Sequence, residues 1–124
     1  TGYSTAFPEL PYNIAVALLT RVISKPGKNL FCVDCGYKAI ASEMPLKNRL
    51  SVIGMDDARI VSHSEEHMVL ESPGASELRL GQPLLALPRH ICPTMAMHET
   101  AAIIRGGEVS SERWTVTARN RLGI

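Results

Sequence analysis

The stretch Asn13 to Asp34, NIAVALLTRVISKPGKNLFCVD, decides the fold. Its first half, Asn13 to Ser24, is apolar enough for a buried helix, and its alanines and leucines favour one. The order of the residues argues otherwise. Val16, Leu18, Thr20 and Val22 alternate with Ala17, Leu19, Arg21 and Ile23, which is the period of a strand. Lys25 to Asn29, KPGKN, then supplies the proline and glycine of a hairpin-like turn, and a second apolar run, Leu30 to Asp34, follows directly. Two strands joined by a short turn are predicted. Cys32 lies inside the second run, so the C-x-x-C that it forms with Cys35 reads as core. A redox pair of that spacing usually opens a helix after a strand.

Outward from this hairpin the chain is punctuated in the same way. Gly36 to Leu46 reads as irregular, with a helical turn near Lys38 to Ser42. Strands are predicted at Leu50 to Met55, Arg59 to His63, His67 to Glu71, Leu84 to Leu87 and Thr100 to Arg105. Met55-Asp56-Asp57-Ala58 and Ser64-Glu65-Glu66 are turns, and Ser72 to Glu77 is a Pro/Gly loop. Gly106-Gly107 is a strong two-residue hairpin signal, with the return strand running from Glu108 to Arg119. Short strands at close spacing predict an all-β sandwich or barrel with short irregular or helical connections. Residues 1–13 read as a lead-in segment and 14–124 as a single β-domain.

The totals bound what such a domain does. Its 124 residues suit one domain, and 45% hydrophobic residues supply a core. Thirteen Lys and Arg against twelve Asp and Glu leave a charge of +1, which gives no nucleic-acid footprint and no membrane-binding surface. There is no apolar stretch of spanning length and no signal-peptide pattern. Three cysteines make no disulfide framework, so a reducing, cytoplasmic setting is expected. Thr1 to Pro11 and Asn13 to Leu19 are unusually apolar for the edge of a small domain. Exposed apolar patches mark interfaces, so the isolated chain is expected to self-associate unless a partner covers them.

The chemistry concentrates in Leu84 to His98, LLALPRHICPTMAMH. Pro88 interrupts the ladder of the preceding strand, and His90 and Cys92 follow, one residue apart. In extended backbone, side chains at i and i+2 share a face, so imidazole and thiol would project together. Nitrogen and sulfur donors suit zinc. Two ligands are too few for a closed structural site, whereas a catalytic site leaves positions open for water or substrate. The alternative is a buried cysteine acting as a small hydrophobe beside an ordinary hydrogen-bonded histidine. His63, Glu65 and His67 alternate and would share a face in an unbroken strand. Ser64-Glu65-Glu66 reads as a turn that breaks the alternation.

Five blocks in order resemble one family: LLTRVISKPG at Leu18 to Gly27, VDCGYKAIAS at Val33 to Ser42, SEEHMVL at Ser64 to Leu70, PRHICPT at Pro88 to Thr94, and IIRGGEV with WTVTARNR across Ile103 to Arg121. They are similar to the C-terminal domain of metal-activated, fold-type III pyridoxal-phosphate enzymes, the D-serine dehydratases and D-threonine aldolases. The resemblance implies a small β-barrel or sandwich of the alanine-racemase C-terminal type. It implies that His90 and Cys92 bind a divalent metal, with cysteine as the dehydratase-like ligand and aspartate the aldolase-like one. Cysteine favours zinc, with manganese the alternative.

The resemblance also implies what else an enzyme of this kind needs. Family members carry pyridoxal phosphate on an N-terminal barrel with its own Schiff-base lysine, for which this chain has no room. The expected partners are that barrel, in the same or a separate chain, a second copy in a homodimer, and a small D-amino acid substrate. Without a barrel the chain is expected to be inactive. A non-catalytic β-domain for dimerisation or partner binding is the competing reading. Lys38 lies in the DCGYKAIAS block, which is not the Schiff-base element. Tyr37 follows Gly36 as a Gly-Tyr pair does in the related alanine racemases, where the tyrosine supplies a base; a packing or rim residue is the other reading. Glu66 and His67 are candidates for orienting the site or an interface, and His67 also for a direct catalytic role, with a structural histidine as the other reading. Asp34 is a candidate cap for the Gly36 turn, and Thr94 a candidate for contact with the cofactor or for a hydrogen bond behind the ligand pair.

Overall fold

The computed structural model describes residues 6–120 and is mostly β. The predicted hairpin is its centre. Strand β1 (Leu18–Gly27) and strand β2 (Leu30–Val33) pair antiparallel, with Val22 opposite Val33 and Gly27 opposite Leu30. The turn is therefore Lys28-Asn29, and Pro26 sits inside β1 where the register shifts between Ser24 and Gly27. Such an irregularity is where a strand tolerates proline. The alternation holds: Thr20 and Val22 are buried, while Leu19, Arg21 and Ile23 are exposed. It begins later than expected, however. Asn13 to Ala17 form no strand and lie exposed, because no neighbouring strand meets them. Of the lead-in, residues 1–5 lie outside the described residues, and Phe7, Leu10 and Tyr12 are exposed.

Four further strands complete a six-stranded sheet: β3 (Leu50–Val52), β4 (Arg59–His63), β5 (Met68–Glu71) and β6 (Pro83–Pro88), in the order β3-β6-β1-β2-β5-β4. Every neighbouring pair is antiparallel. Inward-facing residues of all six make one core. Val22, Phe31, Val33, Met68 and Leu70 are essentially inaccessible, and Ile40 joins them from the connection after β2. Each such side chain contributes about 1.5–3 kcal/mol by leaving water. Cys32 and Cys35 are buried as expected of core residues; burial, with the Asp34 charge behind it, pushes the Cys35 thiol up to about 12.

The sheet curls until its edge strands nearly meet. Arg49, immediately before β3, donates from Nη1 to Nδ1 of His63 at the end of β4, 2.9 Å away. The β3 strand is shorter than the predicted Leu50 to Met55, because the chain reverses at once and Val52 bridges Met55. A second sheet holds only β7 (Thr100–Arg105) and β8 (Glu108–Thr115). Gly106 and Gly107 have φ of +60° and +87°, the two left-handed residues of a type I′ turn. The return strand stops at Thr115, short of the predicted Arg119, and Thr117–Arg119 turn as a 3-10 helix.

Asp34 is not the cap expected for Gly36. Its Oδ1 accepts from Thr20 Oγ1 at 2.6 Å and from the Arg21 amide at 2.7 Å, stitching β2 back onto β1. Gly36 serves a different purpose. A Cβ built there would lie 2.0 Å from the Glu65 carbonyl oxygen and 2.3 Å from the Glu66 nitrogen. That approach lets the next two amides, of Tyr37 and Lys38, donate to the carbonyls of Ser64 and Glu65 at 2.9 and 3.1 Å. Gly36→Ala is expected to destabilise the protein by about 1–3 kcal/mol, as overpacking against backbone does. Gly27→Ala, whose nearest neighbour is the Leu30 side chain at 3.3 Å, should cost much less. Urea unfolding of the two variants checks this; equal midpoints would show that the turn at Ser64 to Glu66 gives way freely.

Candidate metal centre

After β6 the chain turns into a short helix, α1 (Ile91–Ala96), with His90 at its N-cap in extended conformation. This corrects the expectation that His90 and Cys92 share one face of an extended strand. Cys92 already belongs to the helix. Pro93 reads as a terminator only if a strand precedes it. In the first helical turn its missing N–H breaks no bond, because the first four amides have no intrahelical acceptor. The two residues lie two positions apart at a strand-to-helix corner, and both are exposed.

His90 is held by a partner that the sequence reading did not identify. Its Nδ1 is hydrogen-bonded to Glu43 Oε1. A carboxylate on Nδ1 fixes the ring's tautomer and leaves Nε2 as the lone-pair donor, and Nε2 has no protein partner among the described residues. The Glu43 backbone amide and the His90 ring keep the Glu43 carboxyl below the ordinary range. A sequence signal for Glu43 existed: it is the sole carboxylate between Asp34 and Asp56.

Thr94 lies behind the pair and is buried. Its Oγ1 donates to the His90 carbonyl at 2.8 Å and accepts from the Ala41 amide at 3.1 Å. One hydroxyl thus pins the corner to the connection that carries Glu43. His98 adds a second tie, its Nε2 bonding the Ala39 carbonyl at 2.8 Å.

The other candidates sit elsewhere. Tyr37 is exposed and packs edge-on against His63, ring centroids 5.9 Å apart. His67 is exposed in a turn where its carbonyl accepts from the Ser64 amide and hydroxyl, so the turn does break the run His63 to His67. Neither shares a hydrogen bond with His90 or Cys92. Lys38 is exposed and paired with Glu65 and Glu66 at 3.0 and 2.7 Å. His63 accepts from Arg49, which has no lone pair to offer, so Nδ1 is unprotonated and the ring is neutral. Burial, reinforced by the Arg49 charge, lowers its pKa against an opposing pull from the nearby Gly36 backbone.

The donor set fits a borderline-soft divalent ion: one imidazole nitrogen, backed by a carboxylate, and one thiol sulfur. It is incomplete within the chain. Among the described residues no three His, Cys, Asp or Glu side chains converge. Further ligands would have to be water, substrate or protein groups outside the described residues.

The fold and this corner define a β-domain with a carboxylate-paired histidine and an exposed cysteine at one edge. The chain belongs to the serine dehydratase domain family, whose model matches residues 15–104. It is 33% identical over 109 residues to the 3-hydroxy-D-aspartate aldolase of Paracoccus denitrificans, taking in 86% of this chain and 26% of that protein. It superposes on D-threonine aldolase from Filomicrobium marinum with a TM-score of 0.80 at 26% identity, covering 94% of this chain and 31% of the aldolase. D-threo-3-hydroxyaspartate dehydratase from Delftia sp. HT23 shares the fold, with a TM-score of 0.63 at 21% identity over 80% of this chain and 31% of the dehydratase. The chain thus spans about a quarter to a third of these proteins' lengths.

Thr94→Val keeps the shape of the side chain but leaves the buried Ala41 amide without an acceptor. A loss of about 1–3 kcal/mol is expected. In a nitrogen-15 NMR spectrum the largest shift changes should fall on Ala41 and on His90 to Cys92. Changes spread evenly over the sheet would contradict the pinning role.

Proposed function

We propose that this chain is the metal-bearing C-terminal module of a pyridoxal-phosphate-dependent lyase acting on D-3-hydroxy amino acids. Its reaction would be β-elimination to a 2-oxo acid and ammonia. The observation that carries the reading is the Glu43–His90 pair with Cys92 two residues on, in a chain of the serine dehydratase domain family. Structures of D-threo-3-hydroxyaspartate dehydratase include one with a histidine replaced by alanine and one, in a metal-free form, with a cysteine two positions further on replaced. That spacing is the spacing of His90 and Cys92.

The roles of this chain's residues follow from their chemistry. Glu43 accepts the Nδ1 proton of His90 and so keeps Nε2 available to a metal. Cys92 supplies a thiolate, a soft donor that favours zinc over manganese. Thr94 fixes the backbone between them. A bound metal ion would act as a Lewis acid on the substrate's 3-hydroxyl. Pyridoxal phosphate, held by a barrel domain in the same or a separate chain, would supply the electron sink. Neither Tyr37 nor His67 has a role in this scheme. The aldolases among the relatives favour a second reading, in which the same hydroxyl is deprotonated and the bond between the two carbons beside it is cleaved.

Zinc titration of the chain tests the module. Zinc is expected to bind, to be lost in His90→Ala, and to bind about 10–100-fold more weakly in Glu43→Gln, the usual cost of removing a ligand's carboxylate partner. Unchanged affinity in both variants would leave the non-catalytic β-domain as the better reading. Joined to its barrel, the module should release ammonia from D-serine with zinc. Glycine and acetaldehyde from D-threonine, undiminished in Cys92→Ala, would select the aldolase reading instead.

A further inference from the structure

Arg49 closes the seam of the sheet, and it is also fastened to both neighbours of the Glu43–His90 pair. Its carbonyl accepts from the amide of Arg89, the residue before His90, at 2.9 Å. Its Nε donates to the carbonyl of Met44, the residue after Glu43, at 2.9 Å. Its Nη1 donates to His63, which is neutral. Arg49, held in this way, is half-buried, and no carboxylate of the described residues lies within ion-pair distance of its guanidinium. Glu43 feels its charge from a distance but does not pair with it. Two of the guanidinium's five N–H groups are used, and the rest have no partner among the described residues. A partly desolvated charge with free, fixed donors is a receptor for an anion.

We propose that Arg49 is a specificity-determining residue that takes the carboxylate on C3 of a 3-hydroxy dicarboxylic amino acid. The position of C3 rests on the function proposed above. A metal at His90 and Cys92 would hold the C3 hydroxyl, so the protein surface beside that corner meets the other substituent of C3. That substituent is hydrogen in serine, methyl in threonine and carboxylate in 3-hydroxyaspartate. Only the last matches an unpaired guanidinium, whose planar fork fits a carboxylate through two parallel hydrogen bonds. Serine or threonine would leave the charge as it stands.

The test uses the 124-residue chain with two unreactive probes, malate and 3-hydroxybutanoate, 3-hydroxy acids that carry a carboxylate and a methyl group, respectively, on the hydroxyl-bearing carbon. Binding is followed by NMR on the Arg49 side-chain Nε–H, with and without zinc. Malate is expected to bind about tenfold or more tightly than 3-hydroxybutanoate, the worth of a charge-assisted hydrogen bond. Arg49→Gln should abolish the preference while zinc affinity stays unchanged. His63→Gln removes the seam partner but keeps the guanidinium, and should retain the preference. Should Arg49→Gln fail to fold, Arg49→Lys, which keeps the charge and loses the fork, is expected to reduce the preference. Equal binding of the two acids, no malate binding, or a preference that survives both Arg49 substitutions overturns the proposal. A malate preference in a chain that binds no zinc supports the anion site and overturns the metal reading instead.

Discussion

The close approach of Gly36 to the Glu65 backbone is the constraint on which the rest of the site depends. With no side chain in the way, the chain leaving β2 folds flat over the turn between β4 and β5 and is fastened there by two amides. From that anchor the irregular stretch to Arg49 crosses the end of the sheet. It buries Ile40, offers the Ala41 amide to Thr94, places Glu43 on His90, and reaches the seam at Arg49. A larger residue at 36 would lift the whole connection, and the candidate centre would lose the carboxylate that orients its histidine.

The strands were legible because the physics that forms them is local. Alternation in β1 and the Gly106-Gly107 turn require nothing beyond neighbouring residues to be read. The misreadings arose where tertiary partners decide. Asn13 to Ala17 alternate as well as β1 does but find no strand to pair with. Pro93 looks like the end of a strand and is the first turn of a helix, so His90 and Cys92 do not share the face of an extended strand. Glu43 and Arg49 lie in a stretch without periodicity, and their roles come from contacts with residues 47 and 14 positions away. No window of sequence displays such a pairing.

The cysteines show how environment sorts one side-chain type. Cys35 is sealed in the core, its thiol kept protonated by burial. Cys92 is exposed on a corner that also carries an oriented imidazole. The thiolate is the form that binds metal, and burial in apolar surroundings suppresses it. Position in the fold thus separates an inert pair, Cys32 and Cys35, from the one cysteine able to act as a ligand. That no third candidate donor joins the two among the described residues is in keeping with the chain's covering about a quarter to a third of the enzymes it resembles.

The central claim is that His90 and Cys92 together ligate a metal ion. X-ray absorption at the zinc edge of the zinc-loaded chain tests it most directly. One sulfur at about 2.3 Å with nitrogen and oxygen at about 2.0–2.2 Å is expected, and the sulfur should vanish in Cys92→Ser. A shell of light atoms alone, or a sulfur that persists in that variant, would contradict it.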